Sequence, residues 1–179
     1  MKGQRPEGLV LGFQPSSYGF GWAAFTSPLS LYDWGHCHTK NQKNLRCLRR
    51  LEKLIVRLQP ETIVLEAFDA GTKRSDRIKD LCKAVIALAV EHRIEIAVYS
   101  RGQVRACFGT VGARSRQEVA EAIARSFDEL RPRLPKPRAA WDAPDRRMAI
   151  FDAAAAVLTH YQFDASKLLG SLHRDVEGA

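Results

Sequence analysis

The apolar pattern of the chain changes once, just after residue 38, and this change restricts the fold more than any other feature. Before it, short apolar runs separated by turn residues predict strands over 8–13, 19–25 and 30–38. After it, Leu and Ile recur at helical spacing over 41–58, with Arg and Lys on the opposite face. The apolar run Thr62–Glu66 (TIVLE) then predicts a strand buried in the middle of a sheet.

Helices and strands alternate in the rest of the chain. The pattern predicts a helix over 75–92, a strand over 94–99, a short helix over 102–108, a helix over 115–130 and a last helix over 144–161. The whole order predicts an α/β protein with a five-stranded mixed sheet, three antiparallel strands followed by parallel ones, flanked by helices. This is the element order of the ribonuclease H-like fold.

Size, charge and cysteine content narrow the class of protein. A chain of 179 residues, 45% of them hydrophobic, suits one domain, predicted at 8–163 between tails at 1–7 and 164–179. We expect a cytoplasmic protein, because we find no membrane-length apolar run, no signal segment and no CxxC pair among the four cysteines. The net charge of +8 favours a polyanionic partner.

Two acidic residues interrupt apolar segments. Glu66 ends the strand TIVLE, and Asp152 lies within the helical segment MAIFDAAAAVLTHY. A buried carboxylate needs a compensating cation, and two-metal phosphodiester cleavage requires several carboxylates that converge. Each acid also has a structural interpretation. Glu66 is then the first exposed residue after a strand, and Asp152 is the hydrogen-bond partner of a neighbouring helix.

Four segments together resemble the RuvC family of Holliday junction resolvases: VLGFQPSSYGFGW, TIVLEAF, YSRGQVRACFGTVGARSRQEVAEAI and FDAAAAVLTHY. The resemblance implies a ribonuclease H-like endonuclease that cuts four-way or other branched DNA with two Mg²⁺ or Mn²⁺ ions, as a homodimer. It makes Glu66 and Asp152 metal ligands. Asp145, which we expect on the same helix face as Asp152, is a candidate third ligand, or simply a residue that favours the positive helix N-terminus.

Two positions depart from the family pattern. Gln14 stands where the family has its first catalytic Asp, and Ala149 stands in place of another helix acid. An uncharged amide whose NH₂ group faces the ions weakens a metal site, so we expect impaired cleavage. Gln14 is either a substitution introduced into a nuclease or the natural residue of a non-catalytic nucleic-acid-binding protein, and the sequence is compatible with both.

The resemblance also selects nucleic-acid-binding candidates around the predicted sheet edge. The basic ones are Lys73, Arg74, Arg101, Arg105, Arg114 and Arg116. Tyr18 and Phe20 are candidates for stacking on bases, with packing inside the hairpin as the alternative. The leading hypothesis is a RuvC-like endonuclease on branched DNA, impaired at position 14. The alternatives are a non-catalytic binding protein, or a single-strand or RNA nuclease of the same fold.

Overall fold

One five-stranded sheet forms the centre of the protein. The computed structural model describes residues 7–67 and 73–177, with side chains described as far as residue 167. The strands are β1 (Val10–Ser16), β2 (Gly19–Ser27), β3 (Ser30–His38), β4 (Thr62–Glu66) and β5 (Glu95–Tyr99). Their order across the sheet is β3-β2-β1-β4-β5.

Helices cover both faces of this sheet. Within the described residues they are α1 (Lys43–Leu58), α2 (Asp76–Glu91), α3 (Arg101–Gly109), α4 (Arg116–Ser126) and α5 (Met148–Glu177), with a short 3₁₀ turn at Arg131–Arg133. Among them, none is both long and apolar enough to cross a membrane.

The pairing of the strands confirms the predicted mixed sheet. The first three strands are antiparallel, whereas β4 pairs parallel to β1 and β5 pairs parallel to β4. Gln14 lies opposite Gly21 on β2, and Glu66 lies opposite Tyr99 at the end of β5. The parallel strands β1, β4 and β5 therefore all end at the same edge of the sheet.

Alternating residues of β1 and β4 point into two separate apolar cores. On one face, Leu11 and Ile63 pack under α1 and α2. On the other face, Val10 and Val64 pack under α4 and α5 together with Phe151. Both faces of the central strands are covered, which explains the continuous apolar run TIVLE.

Helix α5 lies unusually close to the sheet. A Cβ atom added at Gly12 would lie 2.3 Å from the carbonyl oxygen of Ala153, and one added at Gly21 would lie 2.3 Å from the carbonyl carbon of Ala149. The small residues on both elements allow this approach. It brings Asp152 on α5 to the edge where β1 and β4 end.

Helix α4 ends earlier than its pattern predicts. It stops at Ser126, because Phe127 adopts an extended backbone conformation and packs edge-on against Phe25, with ring centroids 5.3 Å apart. The prediction of a helix as far as residue 130 is therefore wrong.

Helix α5 differs from its prediction at both ends. It begins at Met148 rather than at residue 144, because the Asp145 carboxylate accepts a hydrogen bond from the backbone N–H of Arg147 and holds a turn there. It continues to Glu177, beyond the predicted end at residue 161. The domain limits at residues 8 and 163 stay a prediction.

Candidate nucleic-acid interface

A cavity of about 740 Å³ opens at the edge where the parallel strands end. Its walls come from the β1–β2 turn, the end of β4, the start of α2, the first turns of α3, the loop before α4 and the first turns of α5. Open α/β sheets bind their ligands at this edge, because the connecting loops leave a crevice there. We call this cavity the cleft.

Glu66 lies on the floor of the cleft and is held by two arginines. Its Oε2 atom accepts a hydrogen bond from Arg74 Nη2 at 2.6 Å, and its Oε1 atom accepts one from Arg101 Nε at 2.5 Å. The Glu66 side chain is 12% exposed, whereas that of Arg101 is 65% exposed. The strand end thus carries a largely buried carboxylate whose two oxygens both have cationic partners, which offsets the cost of burial.

Gln14 completes this group from the neighbouring strand β1. It is 5% exposed, and its Nε2 atom lies 3.2 Å from Glu66 Oε2. An ionised carboxylate only accepts hydrogen bonds, so the amide must turn its NH₂ group towards Glu66. Gln14 therefore lies beside Glu66, and it presents a hydrogen-bond donor there.

Asp152 faces the cleft from α5 and pairs with Arg116. The Arg116 Nε atom lies 2.9 Å from Oδ1 and 3.1 Å from Oδ2, and Nη2 also binds Oδ2. Burial raises the pKa of Asp152, and the hydrogen bond and charge of Arg116 oppose this rise. This contact matches the structural alternative for Asp152, a hydrogen bond to a neighbouring helix, because Arg116 is the first residue of α4.

Asp145 also lines the cleft, but it does not share a helix face with Asp152 because it precedes α5. Its carboxylate binds the Arg147 guanidinium, with Nη2 to Oδ2 at 2.6 Å and Nε to Oδ1 at 3.0 Å. These hydrogen bonds lower the pKa of Asp145. The predicted placement on the helix is wrong, and the role of Asp145 as a metal ligand stays a prediction.

The residues of the cleft, as they stand, do not fit a two-ion metal centre. No group of three or more His, Cys, Asp and Glu side chains within the described part of the chain is placed to hold a metal ion. Guanidinium groups bind all three carboxylates, and Gln14 contributes an N–H donor where a hard cation needs an anionic oxygen. The arrangement does not support the predicted Mg²⁺ or Mn²⁺ site.

Positive charge dominates the walls of the cleft. All six predicted basic residues line it, together with one that the sequence interpretation missed: Lys73, Arg74, Arg101, Arg105, Arg114, Arg116 and Arg146. Among the described lining residues, seven cationic side chains face three carboxylates, an excess of four positive charges. Such a cleft attracts a polyanion.

The two aromatic candidates have different environments. Phe20 is 1% exposed and packs against Phe13, with ring centroids 4.8 Å apart, so it offers no free face to a base and that prediction is wrong. Tyr18 is half-buried at the rim of the cleft. Its ring stacks on His38, and the Arg146 guanidinium lies over it at 4.6 Å. Nothing in the spacing of Arg146 or His38 in the sequence indicated this contact.

The strand order β3-β2-β1-β4-β5, with the first three strands antiparallel and β4 and β5 parallel to β1, is that of the ribonuclease H-like class of folds. Within that class the fold resembles that of solved RuvC structures. No protein-family model matches the chain, and comparison with curated proteins gives no match. The fold likeness therefore rests on solved structures.

Two structures of Thermus thermophilus RuvC resemble the chain over most of its length. RuvC in complex with a Holliday junction substrate has a TM-score of 0.65 at 20% identity, covering 88% of this chain and 95% of that one. A second RuvC structure has a TM-score of 0.66 at 20% identity, covering 89% and 96%. The fowlpox virus resolvase in complex with Holliday junction DNA has a TM-score of 0.47 at 13% identity, covering 84% and 96%, a likeness too weak to carry an argument.

Proposed function

We propose that this protein binds branched DNA of the four-way-junction kind in the cleft, and that it cleaves the DNA slowly or not at all. The observation that carries the proposal is the excess of four positive charges among the described lining residues, arranged around a floor whose carboxylates already have partners. The sugar-phosphate backbone supplies the regularly spaced negative charge that such a surface neutralises.

The location of the cleft supports a nucleic-acid ligand of this shape. It lies at the strand ends of a RuvC-like fold, and one RuvC of that fold has been solved with a Holliday junction substrate. Basic side chains reach the cleft from the segments that precede α2, α4 and α5 and from the first turns of α3 and α4, so they surround it rather than form a single stripe. A surface of this kind contacts backbones that approach from several directions, as they do at a branch point.

The weak cleavage follows from Gln14 and from the arginine partners. An ion entering the cleft would have to displace Arg74 and Arg101 from Glu66, and Arg116 from Asp152. Gln14 adds no negative charge to compensate for that loss. We therefore expect DNA binding that needs no divalent ion.

A second candidate function is a metal-dependent endonuclease with Mg²⁺ or Mn²⁺. The observation in its favour is that Glu66, Asp145 and Asp152 all line the same cleft. In this case the arginines would leave the carboxylates when the ions bind. The two candidates differ in whether the unsubstituted protein cuts DNA.

A binding and cleavage assay with the unsubstituted protein and Gln14→Asp separates them. Fluorescence anisotropy measures affinity for a four-way junction, a duplex and a single strand of DNA or RNA, in EDTA and then in Mg²⁺ or Mn²⁺. Denaturing gels measure cleavage under the same conditions. Gln162→Asp, an exposed position on α5, adds the same charge as a matched control.

The proposal expects the unsubstituted protein to bind the junction more tightly than the duplex or the single strand. Its affinity should be the same in EDTA as in Mg²⁺ or Mn²⁺, and it should cut none of the substrates efficiently. Gln14→Asp should bind Mn²⁺ more tightly in a direct calorimetric titration, and Gln162→Asp should not. Efficient cutting by the unsubstituted protein would establish the endonuclease instead. Failure to bind any nucleic acid would overturn both candidates.

We also propose that the protein acts as a homodimer, because a four-way junction has two-fold symmetry and a symmetric dimer presents two equal clefts to it. Light scattering coupled to size-exclusion chromatography gives the mass of the free protein and of its junction complex. A single subunit in both would contradict this part of the proposal.

A further inference from the structure

Three flat groups stack at the rim of the cleft. The Tyr18 ring stacks on His38, with ring centroids 6.0 Å apart and planes inclined by 20°, and the Arg146 guanidinium carbon lies over the tyrosine ring, 4.6 Å from its centre. His38 comes from the end of β3, whereas Arg146 precedes α5. We call this arrangement the rim stack.

We propose that the rim stack is a binding site for an unpaired nucleobase, which stacks on the Arg146–Tyr18 pair while the neighbouring phosphates occupy the cationic cleft. The inference rests on the proposed function, and it names the feature of branched DNA that the protein detects. Nucleobases stack on aromatic rings and on guanidinium planes, and such stacking tolerates any base because every base has a π face.

The backbone of the turn holds Tyr18 in place before any ligand arrives. The Tyr18 carbonyl accepts a hydrogen bond from the backbone N–H of Thr39 at 2.8 Å, and the Ser17 carbonyl accepts one from Lys43 Nζ at 2.9 Å. His38 covers one face of the tyrosine ring. A fixed aromatic platform loses little conformational entropy on binding, which favours a stacking partner.

The Arg146 side of the stack is open to a further flat group. Arg146 is exposed, and no described carboxylate forms a salt bridge with it, because Asp145 pairs with Arg147. A guanidinium plane that already covers one ring can be covered in turn by a base on its outer side. The base could also take the place of Arg146 on the tyrosine, and both modes use the same two residues.

The position of the rim stack explains why the ligand is an unpaired base. Tyr18 and Arg146 both line the cleft, so a base on the stack and a phosphate among the arginines can belong to adjacent nucleotides. Inside a duplex, both faces of each base are covered by neighbouring pairs, and a base must leave the helix to reach a protein ring. At a branch point or a bulge, a base that is already unpaired can leave the stack at a lower cost in free energy.

The test compares affinity for a plain duplex with affinity for the same duplex carrying an unpaired 2-aminopurine bulge. The expected results are a higher affinity for the bulge and quenching of the 2-aminopurine fluorescence on binding. Tyr18→Ala should lower the bulge-to-duplex affinity ratio about tenfold, and Tyr18→Phe should preserve it. Arg146→Lys keeps the charge but removes the flat surface, so it should also lower the ratio.

Tyr32→Ala is the matched control, because Tyr32 is an exposed tyrosine on β3 outside the cleft lining. The bulge-to-duplex affinity ratio of the Tyr32→Ala protein should equal that of the unsubstituted protein. Thermal unfolding of every variant checks the fold. If the Tyr18→Ala protein does not fold, the Arg146→Lys protein is used for the comparison instead, because Arg146 is exposed and its substitution should not disturb the fold.

A ratio near unity for the unsubstituted protein, or a ratio unchanged in Tyr18→Ala and Arg146→Lys, would overturn the rim stack as a base site. Persistent junction binding in that case would leave the proposed function intact. Absence of binding to duplex, bulge and junction alike would overturn the proposed function itself.

Discussion

At the scale of single residues, the two carboxylates that the sequence singled out have different surroundings. Glu66 meets two arginines and the amide of Gln14. Asp152 lies on an apolar helix and meets one arginine, and burial raises its pKa despite that partner. The ion pair with Arg116 therefore cancels only part of the rise in the Asp152 pKa that burial causes. The remaining rise predicts that stability depends on the protonation of Asp152.

Replacing Asp152 by asparagine should make the protein relatively more stable as the pH rises. The pKa of the carboxyl is higher in the folded protein than the usual value of about 3.9 in an unfolded chain, so folding favours the protonated form. That contribution is fully present below the unfolded pKa and is lost as the pH rises through the folded pKa. As the pH rises from about 4, urea unfolding should show Asp152→Asn gaining free energy of unfolding relative to the unsubstituted protein.

Asp80→Asn is the control for this pH dependence, because the Asp80 side chain is 67% exposed. It should show a much smaller change relative to the unsubstituted protein over the same range. If the Asp152→Asn protein lost stability relative to the unsubstituted one as the pH rose, Arg116 would stabilise the charged carboxylate by more than burial opposes it. The assigned direction of the pKa shift would then be wrong.

At the scale of the elements, the contact of α5 with the sheet brings the cleft together. Gly12 and Gly21 leave space for the helix backbone at Ala153 and Ala149. Ala149 is the position where the resemblance led us to look for another acid, and it is 3% exposed against β2. The small residue there serves the packing of α5 and leaves Asp152 as the carboxylate that α5 brings to the cleft.

Gly21→Ala should destabilise the protein by about 2 kcal/mol or more, because its Cβ would overlap the α5 backbone and overpacking forces the helix away from the sheet. Gly109→Ala on α3 is the control. A Cβ there meets nothing within 4 Å, so its stability should stay equal or rise slightly. Urea unfolding measures both variants. Equal stability for the two would contradict the close contact of α5 with β2.

Local patterns predicted most elements, since alternation and helical spacing are properties of short segments. The limits of β3 and β4 were predicted correctly. The six predicted cations line the cleft because four of them lie in the segments that follow β4 and β5, and Arg114 and Arg116 lie where α4 begins. The pattern failed where side chains override it, as with the turn that Asp145 holds before α5 and with Phe20, which the hairpin buries.

The partners of the carboxylates could not be predicted from the sequence. Glu66 and Arg101 are 35 positions apart, and Asp152 and Arg116 are 36 apart. Their contacts depend on how α3, α4 and α5 are placed around the strand ends. Spacing along the chain does not encode that placement, so the acids suggested a metal site, whereas the fold gives them guanidinium partners.

At the scale of the whole molecule, the net charge of +8 is divided between the cleft and other surfaces. Helix α1 carries Arg46, Arg49 and Lys53 on its exposed face, and none of them lines the cleft. A basic protein can bind DNA through any such surface by counterion release alone. Net charge therefore leaves open which surface the DNA follows, and the salt dependence of single variants distinguishes the surfaces.

Arg105→Ala should lower the salt dependence of junction binding, whereas Arg49→Ala should not. Both arginines are exposed, but only Arg105 lines the cleft. Each phosphate contact contributes about 0.9 to the slope of log affinity against log salt concentration, so losing one should reduce the slope by about that amount. Anisotropy titrations over a range of salt concentrations measure the slopes. An equal reduction in Arg49→Ala would mean that the DNA also follows α1, and a reduction in Arg49→Ala alone would place the backbone outside the cleft.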